Sequence, residues 1–537
     1  MMRRLALLTA LGLLSAAFAA DLFDLPHEPA PWEVNATSSR TFTVTDPPPG
    51  ELRPVAEWEP ARGALVRYQS GLGIPWALAA ELAEDDELIT LVSGSSQQTS
   101  AETAYAAHGV NLDHCRFIIA ATNSMWTRDY GPFFVMSDSV GLAVIDFPYN
   151  RPRPLDDEIP ITYAAWDTLA LYGMNLTHTG GNWMTDGYNT AAGSELVWDE
   201  NTGYTHAQIA DLAHSYTGAG SYLVLPDPLG EYIEHIDCWG KFLSPDKVLI
   251  GRVPETDDRY ADYEAVAAAF AAATCAWGTP YRVYRVDTPG SSPYTPYTNS
   301  LILNGKVYVP LTGHTLDAAA IAAYRQAMPG YEVLGYAYSG WLNTDALHCR
   351  VHELPDKRML ELRPTPLIGM QPAQDSLFIR ARVRAHSGAA LLADSLCVHW
   401  RVLPDTLWAT LPLEQTAADS FAVWLPPVLA EATVQYWLSA ADTGGRAVRQ
   451  PLMGPLDPHT FTTAFTALDA PEEPAITVQG SQVCLTWQPV AGATGYKVWS
   501  AGDANAESWS LEAEVTETQV LLPADEEMRV YRITAVR

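Results

Sequence analysis

Apolar and polar positions follow two different rhythms along this chain, and the change between them divides it. Between about residues 55 and 360, short continuous apolar runs such as Leu88 to Val92 and Phe117 to Ala121 predict buried strands. Phe133 to Met136 and Gly141 to Phe147 predict a hairpin pair. Ser300 to Leu303 and Lys306 to Val309 flank Asn304-Gly305, a dipeptide that accepts the positive φ angles of a tight hairpin turn. Helical spacing appears in Pro75 to Ala83, Thr205 to Ser215 and the Ala-rich Tyr260 to Thr274. Helices mixed with hairpins indicate an α/β domain, neither a bundle nor a sandwich. The residues show no strong repeat, although this helix–hairpin rhythm is compatible with a structural one.

After about residue 365 the period becomes two. Ser376 to Ala385, Leu396 to Val402, Phe421 to Leu425 and Thr433 to Ser439 alternate and are separated by turns, which predicts a β-sandwich over 366–467. Beyond the Pro- and Glu-rich stretch from Leu468 to Pro474, the pattern Leu-Thr-Trp, Gly-Tyr-Lys-Val-Trp and Tyr-Arg-Ile-Thr-Ala-Val over 468–537 resembles a short fibronectin type III module. At the other end, Arg3 and Arg4, the apolar run Leu5 to Ala17, and Ala17-Phe18-Ala19 have the form of an export signal over 1–19. Residues 20–50 then read as an extended leader, and 51–365 as the α/β domain. The expected location is secreted, periplasmic or at the cell surface.

Charge narrows the choice of partner. Lys plus Arg number 32 and Asp plus Glu 63, a formal charge of −31. Such a polyanion repels phosphate backbones and anionic lipid, so no nucleic-acid partner is expected. No later run is long and apolar enough to span a bilayer, so no membrane span is expected after signal cleavage. The acidity favours a cationic substrate. The six cysteines are scattered, with neither a Cys-x-x-Cys pair nor zinc spacing, and most read as small buried hydrophobes.

Four segments of the α/β domain could carry chemistry. Trp126-Thr127-Arg128-Asp129-Tyr130-Gly131-Pro132 places Asp129 at the exit of a strand, or in a solvated turn. Gly180-Gly181-Asn182 would let backbone approach a ligand closely. In a strand, His235 and Asp237 would share a face and could pair an acid/base with a carboxylate. Cys349, beside His348, is a candidate nucleophile. Each alone also fits a bland structural role.

Taken in order, Trp-x-Arg-Asp-x-Gly-Pro, Gly-Gly-Asn-x-x-Thr-Asp-Gly, His-x-Asp and His-Cys resemble the agmatine deiminase/peptidylarginine deiminase family of guanidine-modifying enzymes, over about residues 50 to 360. Asn150-Arg151-Pro152-Arg153-Pro154, His235 to Lys241 and Leu347 to Glu353 resemble its secreted bacterial peptidylarginine deiminase branch, as do the export signal and a trailing immunoglobulin-like domain. The agmatine branch carries a Gly-rich stretch before its Cys and a Glu before Gly-Gly-Asn; here stand Asn343 to Ala346 and Thr179.

The resemblance implies a five-bladed pseudo-symmetric α/β propeller with a central site, followed by the two β-sandwich domains. It implies that Asp129 and Asp237 hold a guanidinium, that Cys349 attacks its central carbon, and that His235 protonates departing ammonia and then activates water. Asn299 matches a position supporting the nucleophile. Arg151 and Arg153, in an extended Arg-Pro-Arg, would face one pocket and bind the α-carboxylate of a C-terminal arginine. Trp126 and Tyr232 are candidate walls for the aliphatic stem. No cofactor or metal is expected. The leading expectation is hydrolysis of peptidyl-arginine to citrulline and ammonia. The alternatives are an agmatine or free-arginine deiminase, and an inactive adhesion protein on an enzyme scaffold.

Overall fold

A computed structural model describes residues 25, 29, 33, 40–290, 296–372, 377–428, 431–464, 468–504, 506, 508–524 and 528–536. The proposed export signal and most of the leader lie outside the described residues.

Between Leu52 and Pro355 the strands form five small sheets that share one plan. In each, an antiparallel pair is followed by a helix and then by a strand that joins in parallel. Phe133–Ser137 and Gly141–Asp146 pair, helix Ile159–Asp167 crosses over, and Ala170–Gly173 adds in parallel. The same order recurs around helices His206–Thr217, Tyr260–Ala272 and Asp317–Ala327. In the fifth sheet His352–Pro355 pairs antiparallel with Ala61–Arg67, so the two ends of the region close on each other. Helix Trp76–Asp85 then leads to Glu87–Val92, added in parallel. A parallel addition requires such a crossover. The repeat therefore exists in the structure although the residues do not display it.

Local chemistry explains individual elements. Leu88 to Val92 is buried along its length, as a strand covered on both faces must be. Helix His206–Thr217 starts at a reciprocal cap between Thr205 and Gln208 and stops at Gly218, whose φ of 77° is left-handed. Asn304 and Gly305 take φ values of 44° and 87° between paired strands Leu301–Leu303 and Lys306–Leu311.

Ahead of each hairpin the chain makes one short buried turn. These are Thr127–Tyr130, Gly180–Asn182, Ile236–Cys238, a turn at 297–299, and Leu347–Arg350. Several of these turns pack directly on one another: Leu347–Arg350 on Thr127–Tyr130, that turn on Gly180–Asn182, and Gly180–Asn182 on Ile236–Cys238.

Two sheets with a shared core around Val398, Tyr436 and Phe461 follow. Their first strand is Leu360–Thr365, paired with Leu377–Ala385, so this unit begins before the residue 365 boundary read from sequence. Pro364 fits this strand because the strand lies at the sheet edge, where proline is tolerated. A second pair of three-stranded sheets spans Ala475 to Val536 around Trp487, Tyr496 and Val498. The end of the leader is docked: Arg40 pairs with buried Asp146 and Asp157 at 2.8 Å each, and Thr45 hydrogen-bonds Gly173.

Candidate active site

The buried turns bring Asp129, Asp237, Asn299 and Cys349 into one cluster. The side-chain amide of Asn299 holds the nucleophile. Its Oδ1 accepts from the Cys349 backbone N–H at 3.3 Å, and its Nδ2 donates to Cys349 Sγ at 3.2 Å. The same Nδ2 lies 3.4 Å from the Asp237 carbonyl, which ties the third turn to the fifth. Asp237 Oδ2 stands 3.7 Å from Cys349 Sγ. Across the cluster, His235 Nδ1 lies 3.5 Å from Asp129 Oδ1.

These positions correct the local expectations from sequence. His235 and Asp237 are not in a strand; His235 precedes the tight helical turn Ile236–Cys238 that carries Asp237. Asp129 sits inside a buried helical turn rather than at a strand exit. Gly181 makes room for catalytic side chains, and Gly180 for the backbone of the neighbouring turn. A Cβ on Gly181 would stand 2.4 Å from His235 Nδ1 and 2.7 Å from Asp129 Oδ1, and one on Gly180 would meet the Arg128 carbonyl at 2.0 Å.

The Arg-Pro-Arg segment also differs. It is a tight turn, with the Arg153 N–H bonding the Arg151 carbonyl at 2.8 Å, so the two side chains diverge. Pro152 and Pro154 favour this bend over an extended run. The Arg151 guanidinium lies 5.9 Å from the half-exposed Tyr232 ring. The Arg153 guanidinium lies 5.2 Å over Trp126 and is engaged by Glu33, with Nε to Oε1 at 2.6 Å and Nη2 to Oε2 at 3.1 Å. Trp126 thus backs Arg153 rather than presenting a bare wall. Both arginine charges are nevertheless felt at Asp129.

Two contributors carried too weak a signal to be chosen from sequence. His348 Nδ1 lies 2.7 Å from Asp237 Oδ2, and its Nε2 3.2 Å from Glu57 Oε2. Burial, with Arg128 and Lys241 nearby, pushes His348 well below the usual imidazole range. A neutral ring donates from one nitrogen, and the shorter contact assigns that proton to Nδ1, fixing the Asp237 carboxylate. Only adjacency to Cys349 hinted at His348, and nothing around Glu57 hinted at it.

Glu57, His348 and Glu353 are close enough to share a cation. However, Lys241 Nζ already binds Glu57 at 2.6 Å, and Arg128 pairs with Glu353. Two fixed cations therefore occupy the carboxylates that a metal would need.

The electrostatics suit a cationic reactant. Burial and the neighbouring Asp237 push the Asp129 carboxyl up to about 8. A hydrogen bond from Cys238 lowers Cys349, but burial and the surrounding carboxylates outweigh it and leave the thiol at about 11. An entering guanidinium opposes both shifts: it stabilises two carboxylates and a thiolate together. Asp129 Oδ1 lacks a hydrogen-bond partner among the described residues, leaving an acceptor for a guanidinium N–H.

A thiol, an imidazole and paired carboxylates around one buried point define an enzyme that attacks a planar cation. Comparison with known proteins agrees. The family model for Porphyromonas-type peptidyl-arginine deiminase matches residues 73–355. The chain is 25% identical to the agmatine deiminase of Stutzerimonas stutzeri over 57% of this chain and 89% of that one. It is 25% identical to that of Medicago truncatula over 50% and 84%. The structure of the Enterococcus faecalis agmatine deiminase superposes with a TM-score of 0.51 at 18% identity, covering 57% of this chain and 96% of that one.

The α/β region therefore shares its fold with the Enterococcus faecalis agmatine deiminase. The chain belongs to the Porphyromonas-type peptidyl-arginine deiminase family, whose members hydrolyse guanidino C–N bonds.

Proposed function

We propose that this chain is an exported deiminase that converts peptidyl-arginine, preferentially at a C-terminus, to citrulline and ammonia. Asp129 and Asp237 grip the guanidinium from two edges. Cys349 Sγ gives its proton to His235 and bonds to the central carbon, and the C–N bond to a terminal nitrogen breaks. That nitrogen leaves as ammonia with a proton from His235, and an amidino-thioether remains. His235 then takes a proton from water, whose oxygen bonds the same carbon. The C–S bond breaks, and citrulline and Cys349 are released. Asn299 holds Sγ in place throughout.

The observation that supports the peptidyl reading is the pair Arg151 and Arg153, two cations close enough to Asp129 for their charges to be felt there and able to attract an arginine's own carboxylate. Free agmatine has no group for them. The second reading, agmatine hydrolysis, is favoured by the names of the relatives. We further read the five sheets as blades of a ring around the site, the first sandwich as immunoglobulin-like and the second as fibronectin III-like. Ammonia release from a peptide ending in Arg, its C-terminally amidated twin and agmatine tests the assignment. Preference for the free acid supports it, whereas preference for agmatine overturns it.

A further inference from the structure

The guanidinium proposed to receive the substrate's carboxylate already holds one. Glu33 meets Arg153 through both oxygens, at 2.6 and 3.1 Å, and the two side chains are 1% and 2% exposed. This is the fork-to-fork pairing that a C-terminal carboxylate would make.

Glu33 is also tethered on both sides along the chain. Before it, buried Leu25 donates its backbone N–H to the Asn123 carbonyl at 2.9 Å. After it, Arg40 pairs with Asp146 and Asp157. A carboxylate held on so short a tether has a high effective concentration at its partner.

We propose that Glu33 is a specificity-determining residue: an intramolecular competitor that occupies the Arg153 subsite and tempers, without reversing, the preference for substrates bearing a free α-carboxylate. This rests on the carboxylate reading above. Substrates without that group do not contend for Arg153, so Glu33 leaves them unaffected. A C-terminal arginine must displace Glu33, and its KM rises while kcat, set at Cys349, stays the same. Loss of the Glu33 carboxylate would sharpen the preference for C-terminal arginine without touching the catalytic cluster.

The test uses the full chain with Glu33→Gln, Glu33→Asp, Arg153→Gln and the double variant Glu33→Gln/Arg153→Gln. Each is assayed on a peptide ending in Arg, its amidated twin and agmatine. Glu33→Gln is expected to lower KM for the acid peptide about 10-fold or more, the size of a charge-assisted bidentate contact. The other two substrates should keep their constants, which also reports an intact fold, and Glu33→Asp should behave like wild type. If Glu33→Gln leaves the acid peptide unchanged while Arg153→Gln raises its KM, the inference is overturned and the carboxylate reading stands. If Arg153→Gln has no effect in the Glu33→Gln background, the carboxylate reading fails and the inference with it. Loss of activity on all three substrates in Glu33→Gln makes Glu33 a structural support and overturns the inference.

Discussion

Replacing Asp129 by Asn separates the binding role of its charge from its shape, and the structure sets how the loss should vary with pH. A guanidinium seated about 4 Å from a carboxylate gains roughly 4 kcal/mol at an effective dielectric near 20. In the empty site Asp129 titrates at about 8, so at pH 7 it must first release a proton. That release costs about 1.4 kcal/mol per pH unit below the pKa. The net advantage over Asn at pH 7 is therefore about 2.6 kcal/mol, or roughly 100-fold in kcat/KM. At pH 6 the same arithmetic leaves about 10-fold, and above pH 9 it reaches roughly 1000-fold. The assay is citrulline or ureido-product formation by wild type and Asp129→Asn from pH 6 to 9.5, taken as a ratio of kcat/KM, with Cys349 ionisation followed in each enzyme by thiol alkylation because the Asp129 charge itself raises that thiol. A flat ratio would refute the reasoning, because it would mean that Asp129 is already ionised before substrate arrives. The same proton sets a stability trend. The folded pKa of Asp129 lies above its unfolded value, so its contribution is fully present below about pH 4 and is lost as pH rises through about 8. Asp129→Asn lacks that loss, so its Tm relative to wild type should climb between pH 5 and pH 9.

Cys349→Ser should reduce ammonia release to below about 1% while leaving Tm unchanged, since a hydroxyl is a far weaker nucleophile than a thiol at neutral pH; turnover near wild type would place the nucleophile elsewhere. His348→Gln should lower kcat/KM about 10- to 100-fold through a loosened Asp237, the scale of a lost hydrogen bond to a charged group, whereas unchanged kinetics would show that Asp237 needs no such support. Removing 468–537 should leave activity and the main unfolding transition alone, because among the described residues no salt bridge joins that unit to the rest. Ending the chain at 357 should instead lower Tm markedly by scanning calorimetry, because Lys247, 3% exposed, loses its partner Asp457; an unchanged Tm would show that the ion pair and the packing around it are dispensable.

The elements were readable where local chemistry decides them. Asn304-Gly305 can scarcely be anything but a hairpin turn, and the predicted helices begin and end within a few residues of those observed. Residues whose role depends on neighbours distant in sequence were not readable. Leu360–Thr365 falls before the 365 boundary read from the change of period, yet its pairing with Leu377–Ala385 makes it the first strand of the sandwich. Glu57 reaches the site only because Lys241 and His348, both remote in sequence, converge on its carboxylate.

The catalytic residues fall between these extremes, and the repeated plan explains why. Each lies in a buried turn just ahead of a hairpin: Asp129 before Phe133, Asp237 before Gly240, Asn299 before Leu301 and Cys349 before His352. The hairpins after Asp129 and Asn299 were visible as apolar runs, so the positions just before them were marked places in the sequence, whereas the strands after Asp237 and Cys349 carried no such mark. What remained hidden was that these places meet, because convergence is imposed by the closing pair between His352–Pro355 and Ala61–Arg67. The glycines make the point in reverse. Gly181 looks like freedom for a loop, but a Cβ there would enter the space of His235 and Asp129, residues from two other repeats. Its lack of a side chain is thus a constraint set by convergence, and Gly181→Ala should injure catalysis by displacing the acid/base and one carboxylate together. Since neither Asp129 nor His235 is altered, kcat should fall without any change in the chemical groups present. A Gly181→Ala enzyme with wild-type kcat would show that the turn can retreat, and that the site is looser than the 2.4 Å approach to His235 implies.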